Sequence, residues 1–398
     1  FCLMSKELFL QYQAQITPDP TAMEVSRAEG MYIYDNNNKA YMDLVAGIST
    51  CTLGHSHPAV VKAVQQQAAN YMHVMVYGEY VQSPQYKLAK LLADNLPNNL
   101  NCTYFVNSGC EAIEGAMKLA KRSTGRSEFL SCKNSYHGSS QGALSLMGTE
   151  TYKANYRPLL PDCNQIEYNS EESLQLITKN TAAVVVEPVQ GATGFVTPTN
   201  NWLQKLRQRC NQVAALLIFD EIQTCFGRTG KLFALETYGV TPDILCLAKG
   251  MGGGMPIGAF ISSKEKMNLL KKNPKLGHIT TFGGHPVNCA ASLATLQTLI
   301  SNKEIIESVK EKELLFRQQL QHPSIQELRG LGLMLAIELG NAQKCREFVA
   351  RAYQKGLITF FFLFTGTAVR LSPPLIISEE EIINACQQMR EILDEIDL

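Results

Sequence analysis

The sequence predicts an α/β protein: a large domain built on a mostly parallel sheet covered by helices, followed by a smaller α+β domain. Three observations carry this. Short apolar runs alternate with helix-compatible stretches between about residues 103 and 261. These runs are continuous, as in Thr181-Ala-Ala-Val-Val-Val-Glu187. Continuity marks strands buried on both faces, whereas one-sided strands alternate with polar residues. After Gly284 the alternation stops. The 398 residues exceed one small core and suffice for two domains.

Bulk properties narrow the function. Lys plus Arg equals Asp plus Glu at 36 each, so the net charge is zero. That argues against a nucleic-acid binder relying on general attraction to phosphate, but leaves room for a local positive pocket. No apolar run approaches the roughly 18 residues of a membrane helix. The twelve cysteines form no Cys-x-x-Cys pair, and many sit inside apolar runs, as Cys246 does. They read as buried thiols of a protein in the reducing cytoplasm. The opening Phe1-Cys-Leu-Met-Ser-Lys6 is too short for a signal peptide, and the three residues before Met4 read as an addition.

In chain order, residues 1–50 form an N-terminal segment expected to join the small domain. Within it, residues 30–43 place two apolar, aromatic-rich runs around a polar turn, a hairpin pattern. Gly54-His55-Ser56-His57-Pro58 precedes a helix over 59–71, with Pro58 opening it. His55 and His57 lack a third metal ligand at suitable spacing, so a turn-and-cap role is expected. Strands are expected at 103–106, 128–131, 181–187, from Leu216, at 244–248 and at 257–261, with helices at 111–122 and 201–211. This alternation implies right-handed crossovers within a large domain spanning 51–299. A helical stretch then runs from 286 to about 321, broken near Ser301-Asn302. Strand candidates at 331–338 and 367–371 and helices at 342–355 and 379–393 make a small domain over 300–398.

Asp220 and Lys249 each end an apolar run, which places them at the carboxyl edge where open α/β sheets bind ligands. An amine desolvated there is partly neutral and nucleophilic, suited to a Schiff base; the alternative is a surface lysine opening a loop. A buried Asp220 needs a partner, such as a pyridinium N–H, or it caps a helix. Gln223 lies three residues on. Ser108-Gly109-Cys110 opens a helix after a strand, so Ser108 can cap while the amides face an anion; many such turns bind nothing. Tyr136-His137-Gly138 follows the next strand, and Tyr136 could stack on a planar ring or fill the core. Thr280-Thr281 offers hydroxyls beside glycines, for a phosphate or for a turn. Arg370 is a lone charge in an apolar strand, either gripping a carboxylate in bidentate fashion or facing solvent at an edge.

Together these residues resemble the class III aminotransferases of the ornithine and acetylornithine type, pyridoxal-phosphate enzymes of fold type I. The resemblance runs from about Glu24 to Leu375. It rests on Asp220-Glu-Ile-Gln-Thr-Cys-Phe-Gly-Arg-Thr-Gly230 followed by Leu-Ala-Lys249-Gly. Ser108-Gly-Cys-Glu-Ala, Tyr136-His137-Gly, Glu187-Pro-Val-Gln-Gly191, Thr280-Thr-Phe-Gly-Gly and Arg370-Leu-Ser-Pro-Pro fall in the family order. The resemblance implies pyridoxal 5'-phosphate as cofactor, bound as a Schiff base to Lys249, which then acts as base. It implies Asp220 on the pyridine nitrogen, Tyr136 stacked on the ring, His137 beside it and Gln223 near the ring oxygen. Gly109 and Cys110 amides would hold the phosphate beside Ser108. Thr281 would reach the neighbouring subunit's cofactor in a homodimer. Arg370 would grip the carboxylate of 2-oxoglutarate, with Glu187 as its gating partner.

The implied reaction moves an amino group, expected to be the ω-amino group of ornithine, acetylornithine or a related amine, to a 2-oxo acid. A same-fold aminomutase or decarboxylase is the rival, followed by a non-catalytic relative. Three residues depart from the family pattern. Cys110 stands for a threonine or serine, Ser139 for an arginine, and His285 for an asparagine.

Overall fold

A computed structural model describes residues 5–397; residues 1–4, on which the reading of the chain's opening falls, and residue 398 lie outside them. The central sheet has seven strands. Their spatial order is Cys102–Val106, Gly258–Ser262, Ile244–Leu247, Leu216–Asp220, Thr181–Val186, Glu128–Cys132 and Cys163–Ile166. The last five pair in parallel. Gly258–Ser262 runs antiparallel to both neighbours. Apolar side chains of consecutive residues enter opposite cores. Val184, Val186, Leu217, Phe219, Leu245 and Leu247 face one, and Ala183, Val185, Ile218, Ile244 and Cys246 face the other. That two-sided burial is why the runs are continuous in sequence.

The Gly109–Thr124 helix covers the second core with Ala112, Ile113, Ala116 and Ala120. Gly115 lets it approach closely, since a Cβ there would come within 2.2 Å of the Phe260 ring. The Trp202–Val213 helix covers the other face. The helical stretch after Gly284 is three helices, Pro286–Ser301, Glu304–Glu307 and Val309–Gln319.

Several expectations are revised. The single strand expected at 331–338 is one arm of a hairpin, Glu327–Leu331 with Met334–Glu338. Gly332 makes the turn with φ 61°, and a Cβ there would sit 2.4 Å from the Arg228 carbonyl oxygen. The Cys163–Ile166 strand escaped notice because its centre, Asn164-Gln165, is polar, as an edge strand tolerates. The Ser83–Asp94 helix was also missed, although Pro84 stands in its first turn. His55 is more than a turn residue: its Nε2 lies 2.8 Å from Asp43 Oδ2. Bonds to Asp43 first, and then to Cys51, hold its imidazolium up to about 10.

Beyond the central sheet, Ala368–Leu371 pairs with Met334–Glu338 and with the short Phe360–Phe361 strand. The N-terminal strands Val25–Glu29, Tyr32–Asp35 and Ala40–Asp43 form an antiparallel meander. Leu357–Ile358 adds to it in parallel beside Ala40–Asp43.

The loop after Leu216–Asp220 folds back around Glu221. This buried carboxylate accepts from the Ala234 and Leu235 amides at 2.6 and 2.8 Å, satisfying the first turn of the Ala234–Tyr238 helix. Burial pushes Glu221 up to about 7, against the usual carboxyl range. Arg228, in the same loop, is buried and donates to the Leu333 carbonyl at 3.3 Å and to that of Pro373.

A raised carboxyl pKa makes the native state bind more protons than the unfolded chain, so this contribution to stability is present at low pH and lost as pH rises through the folded value. Wild type should therefore lose its stability advantage over Glu221→Gln between about pH 5 and about pH 8. Urea unfolding at a series of pH values measures it; an advantage that grows with pH contradicts it.

Candidate active site

The carboxyl ends of five strands open onto one cavity of about 940 Å³. Asp220 ends one strand and Glu187 follows another by one residue. Lys249 stands two residues past Leu247 and begins a short 3-10 turn. Ser108, Gly109, Cys110, Tyr136 and His137 come from the turns after the remaining two, and Arg370 enters from the outer sheet. With Gln223, the structure brings these sequence-predicted residues into one lining. Thr281 is the exception: it is exposed and outside that lining.

Lys249 has φ 47°, a left-handed conformation that costs a residue with a Cβ energy. It is half-buried and lines the cavity. Burial lowers its amine pKa, Arg370 lowers it further, and Asp220 and Glu187 oppose this. Among the described residues Lys249 makes no ion pair within 4 Å, so no single carboxylate fixes its charge.

Asp220 is held from behind. Its Oδ2 lies 2.7 Å from His137 Nδ1, and its Oδ1 accepts from the Ile222 amide at 3.1 Å. His137 Nε2 is buried with no protein partner. Sequence reasoning placed His137 near the site but missed this bond, because the two residues are 83 apart in the chain.

At the Gly109–Thr124 helix, Ser108 Oγ accepts from the Glu111 amide at 3.2 Å while Glu111 accepts from the Asn107 amide at 2.7 Å. This reciprocal cap satisfies one helix donor and leaves the Gly109 and Cys110 amides facing outward. The Cys110 thiol accepts from the Ser139 amide at 3.4 Å and packs against Gly138, where a Cβ would lie 2.4 Å from Sγ.

Glu187 accepts from the Tyr136 and Gly191 amides at 2.9 and 2.8 Å. Burial pushes its carboxyl upward, with His137 opposing and Asp220 adding to the shift. Gln223 Nε2 donates to Ser49 Oγ at 3.2 Å. Ser49 belongs to a left-handed run in which Ala46, Gly47, Ile48 and Ser49 all have positive φ. Asp43 Oδ1 caps its start through the Val45 and Ala46 amides. Such a conformation is costly for Ile48, a β-branched residue that lines the cavity.

Arg370 lies beside two rings that touch each other, 5.0 Å from Phe195 and 4.5 Å from Phe362. Its Nη2 reaches the Gly191 carbonyl at 3.4 Å, while Nε and Nη1 are buried without partners. Burial pushes the guanidinium down to about 10. Among the described residues it forms no ion pair with Glu187, so two N–H groups are available to a carboxylate. Sequence reasoning did not find Ile48, Tyr152, Met255 and 360–363 in the lining. The Phe360-Phe-Phe362-Leu363 run was the available signal.

A cavity with an unpaired, depressed amine, a buried carboxylate–imidazole pair and an open helix N-terminus is the arrangement of a class III aminotransferase. The chain belongs to that family, matching it over residues 14–393. It is 37% identical to the acetylornithine aminotransferase of Methanopyrus kandleri over 92% of each chain. It is 36% identical to the putrescine aminotransferase of Pectobacterium atrosepticum, covering 98% of this chain and 86% of that one. Among solved structures, the ornithine aminotransferase of Toxoplasma gondii, with pyridoxal phosphate partially occupying its active site, superposes with a TM-score of 0.91 at 28% identity. That match covers 98% of this chain and 93% of the other. The protein is thus a fold type I aminotransferase whose cofactor is pyridoxal phosphate. The residues present fit that cofactor: an unpaired amine, a buried carboxylate, unpartnered donors and a helix N-terminus share one space.

Gly109 admits an anion to that N-terminus because it lacks a side chain, and a Cβ there would sit 2.8 Å from Ile222 Cδ1. Gly109→Val should weaken cofactor binding at least about tenfold by displacing the Ile222 side chain and the turn. Equilibrium dialysis with pyridoxal phosphate measures this; unchanged affinity in a folded variant contradicts it.

Proposed function

We propose that this enzyme moves a terminal amino group from an amine donor to a 2-oxo acid such as 2-oxoglutarate, with Lys249 as the proton carrier. The observation that carries this reading is the Lys249 amine, lowered by burial and unpaired, in the same cavity as the Asp220–His137 pair. Pyridoxal phosphate, when bound, supplies an electron sink that stabilises negative charge on the donor carbon.

The chain's own groups do the rest. Lys249 Nζ, neutral more readily than a surface lysine, accepts a proton from the donor carbon and returns it to the other side of the transfer. Asp220, oriented by His137 and kept from water, holds a proton on a ring nitrogen in front of it. Gly109 and Cys110 donate their amides to a phosphate beside Ser108. Tyr136 would cover one ring face, and Gln223 would lie towards the ring oxygen. The partner-free Nε and Nη1 leave Arg370 with N–H donors to offer an acceptor carboxylate. Glu187, in reach of Arg370 electrostatically, would cover it while an ω-amino donor is bound and move away for the acceptor's carboxylate.

A homodimer completes this proposal. Met72, Val74, Met75 and Phe282 expose apolar surface, and the His73 and Phe282 rings lie 4.9 Å apart, so they form one patch beside Thr281. A second copy covering that patch would bring Thr281 to its neighbour's phosphate site. We place domain divisions near residues 50 and 300, and the protein in the cytoplasm. Among the described residues no helix is long and apolar enough to cross a membrane.

The test is a half-reaction on the holoenzyme. Adding a donor should shift the bound cofactor's absorbance, and adding 2-oxoglutarate should restore it with no carbon dioxide released. Carbon dioxide release, or a spectrum that 2-oxo acids do not restore, would count for the decarboxylase or mutase. Sedimentation of an active monomer would refute the dimer.

A further inference from the structure

We propose that the physiological donor is a primary amine with an uncharged apolar body and no carboxylate, recognised by the wall that Phe360, Phe361, Phe362 and Leu363 build into the cavity. This rests on the aminotransferase reading above and specifies its donor.

The wall follows from the edge strand. Phe360–Phe361 pairs only with Ala368–Leu371 in the register Phe360 opposite Arg370. Opposed residues project to the same face of a sheet, so Phe360 and Arg370 share a face. Phe362 and Phe195 meet edge to face 4.9 Å apart and lie together beside the guanidinium. The guanidinium is thus buried beside an aromatic pair, with Nε and Nη1 lacking protein partners. The rest of the wall stays uncovered: Phe360 is 49% and Leu363 42% exposed, though both line the cavity. Exposed apolar side chains lining a concave site gain most from an apolar ligand. Tyr152 continues the wall. Its hydroxyl donates to the Leu363 carbonyl at 3.0 Å, which leaves the ring as its contribution to the lining.

Charge points the same way. Among the described residues, Lys249 and Arg370 are the only lysine and arginine in the cavity lining. Ser139, where the family pattern has an arginine, is neutral and lies 3.2 Å from the Tyr136 hydroxyl. A donor reacting through its terminal amine and carrying a distal carboxylate would compete for Arg370 or bury that charge against phenylalanine, which is costly without a partner. A distal ammonium fares little better. The only acids in the lining, Asp220 and Glu187, are buried and each already accepts two hydrogen bonds. An apolar amine leaves no charge unpaired, and its departure as a carbonyl frees the cavity for the carboxylate of the acceptor.

The experiment measures half-reaction kcat/KM of the holoenzyme, by cofactor absorbance, for 2-phenylethylamine, hexylamine, putrescine, ornithine, N-acetylornithine and phenylalanine. The expected result is that the two monoamines exceed each of the other four by at least about tenfold. Phe360→Ala should lower kcat/KM for phenylethylamine about tenfold, mainly through KM, and by more than it lowers the return half-reaction with 2-oxoglutarate. Because the Phe360 change could unsettle the edge strand, Leu363→Arg provides a second test at a half-exposed position. It should raise the ratio of N-acetylornithine to phenylethylamine at least about tenfold. Ornithine, N-acetylornithine, putrescine or phenylalanine matching the monoamines overturns this inference while leaving the aminotransferase reading intact. A cofactor spectrum that responds to none of the six overturns both.

Discussion

An amine taken out of water without a counter-ion is the constraint on which this structure turns. Lys249 is placed by a buried strand, twisted into a left-handed turn and given no ion pair within reach. A lysine in that position gives up its proton more readily than a surface lysine, because desolvation penalises the charge it carries. Such an environment erodes stability and earns its place only through chemistry. The neighbouring acids moderate the effect without abolishing it. Asp220 is turned towards His137 and Glu187 towards backbone amides, so neither neutralises the lysine by direct contact.

Around that amine, the polar groups that folding forces inward are satisfied mainly by backbone. Glu221 caps a helix, Glu187 holds two loop amides, Asp43 starts the left-handed run, and Arg228 grips carbonyls of the outer sheet. These contacts fix the loops that follow the strands, which is where the cavity's functional side chains stand. Rigid loops on a two-sided core allow residues from 108 to 370 to meet with little freedom left to lose. Some polar groups at the cavity are left unsatisfied. His137 Nε2 and two nitrogens of Arg370 lack partners there, which is where a ligand should complete them.

Much of this was legible in the sequence, for physical reasons. The parallel strands announced themselves because two-sided burial demands continuous apolar runs, and charged residues ending such runs can lie only at the carboxyl edge. Lys249, Asp220 and Arg370 were therefore visible as outliers in apolar company. The edge strand Cys163–Ile166 was not, since one exposed side tolerates Asn164 and Gln165. Nor was the His137–Asp220 bond, which depends on a fold that joins residues 83 apart. The aromatic pair beside Arg370 joins Phe195 and Phe362 from different parts of the chain, so no local pattern reveals it. The antiparallel placement of Gly258–Ser262 was hidden likewise, because a buried strand reads the same in either direction.

The most direct measurement is the pH dependence of Lys249 reactivity. The apoenzyme is reductively methylated with trace labelled formaldehyde across a pH series, and each lysine is quantified by mass spectrometry. The expected result is a Lys249 midpoint below that of the other lysines labelled in the same samples. A Lys249 midpoint at or above theirs would contradict a desolvated, unpaired amine as the centre of this site.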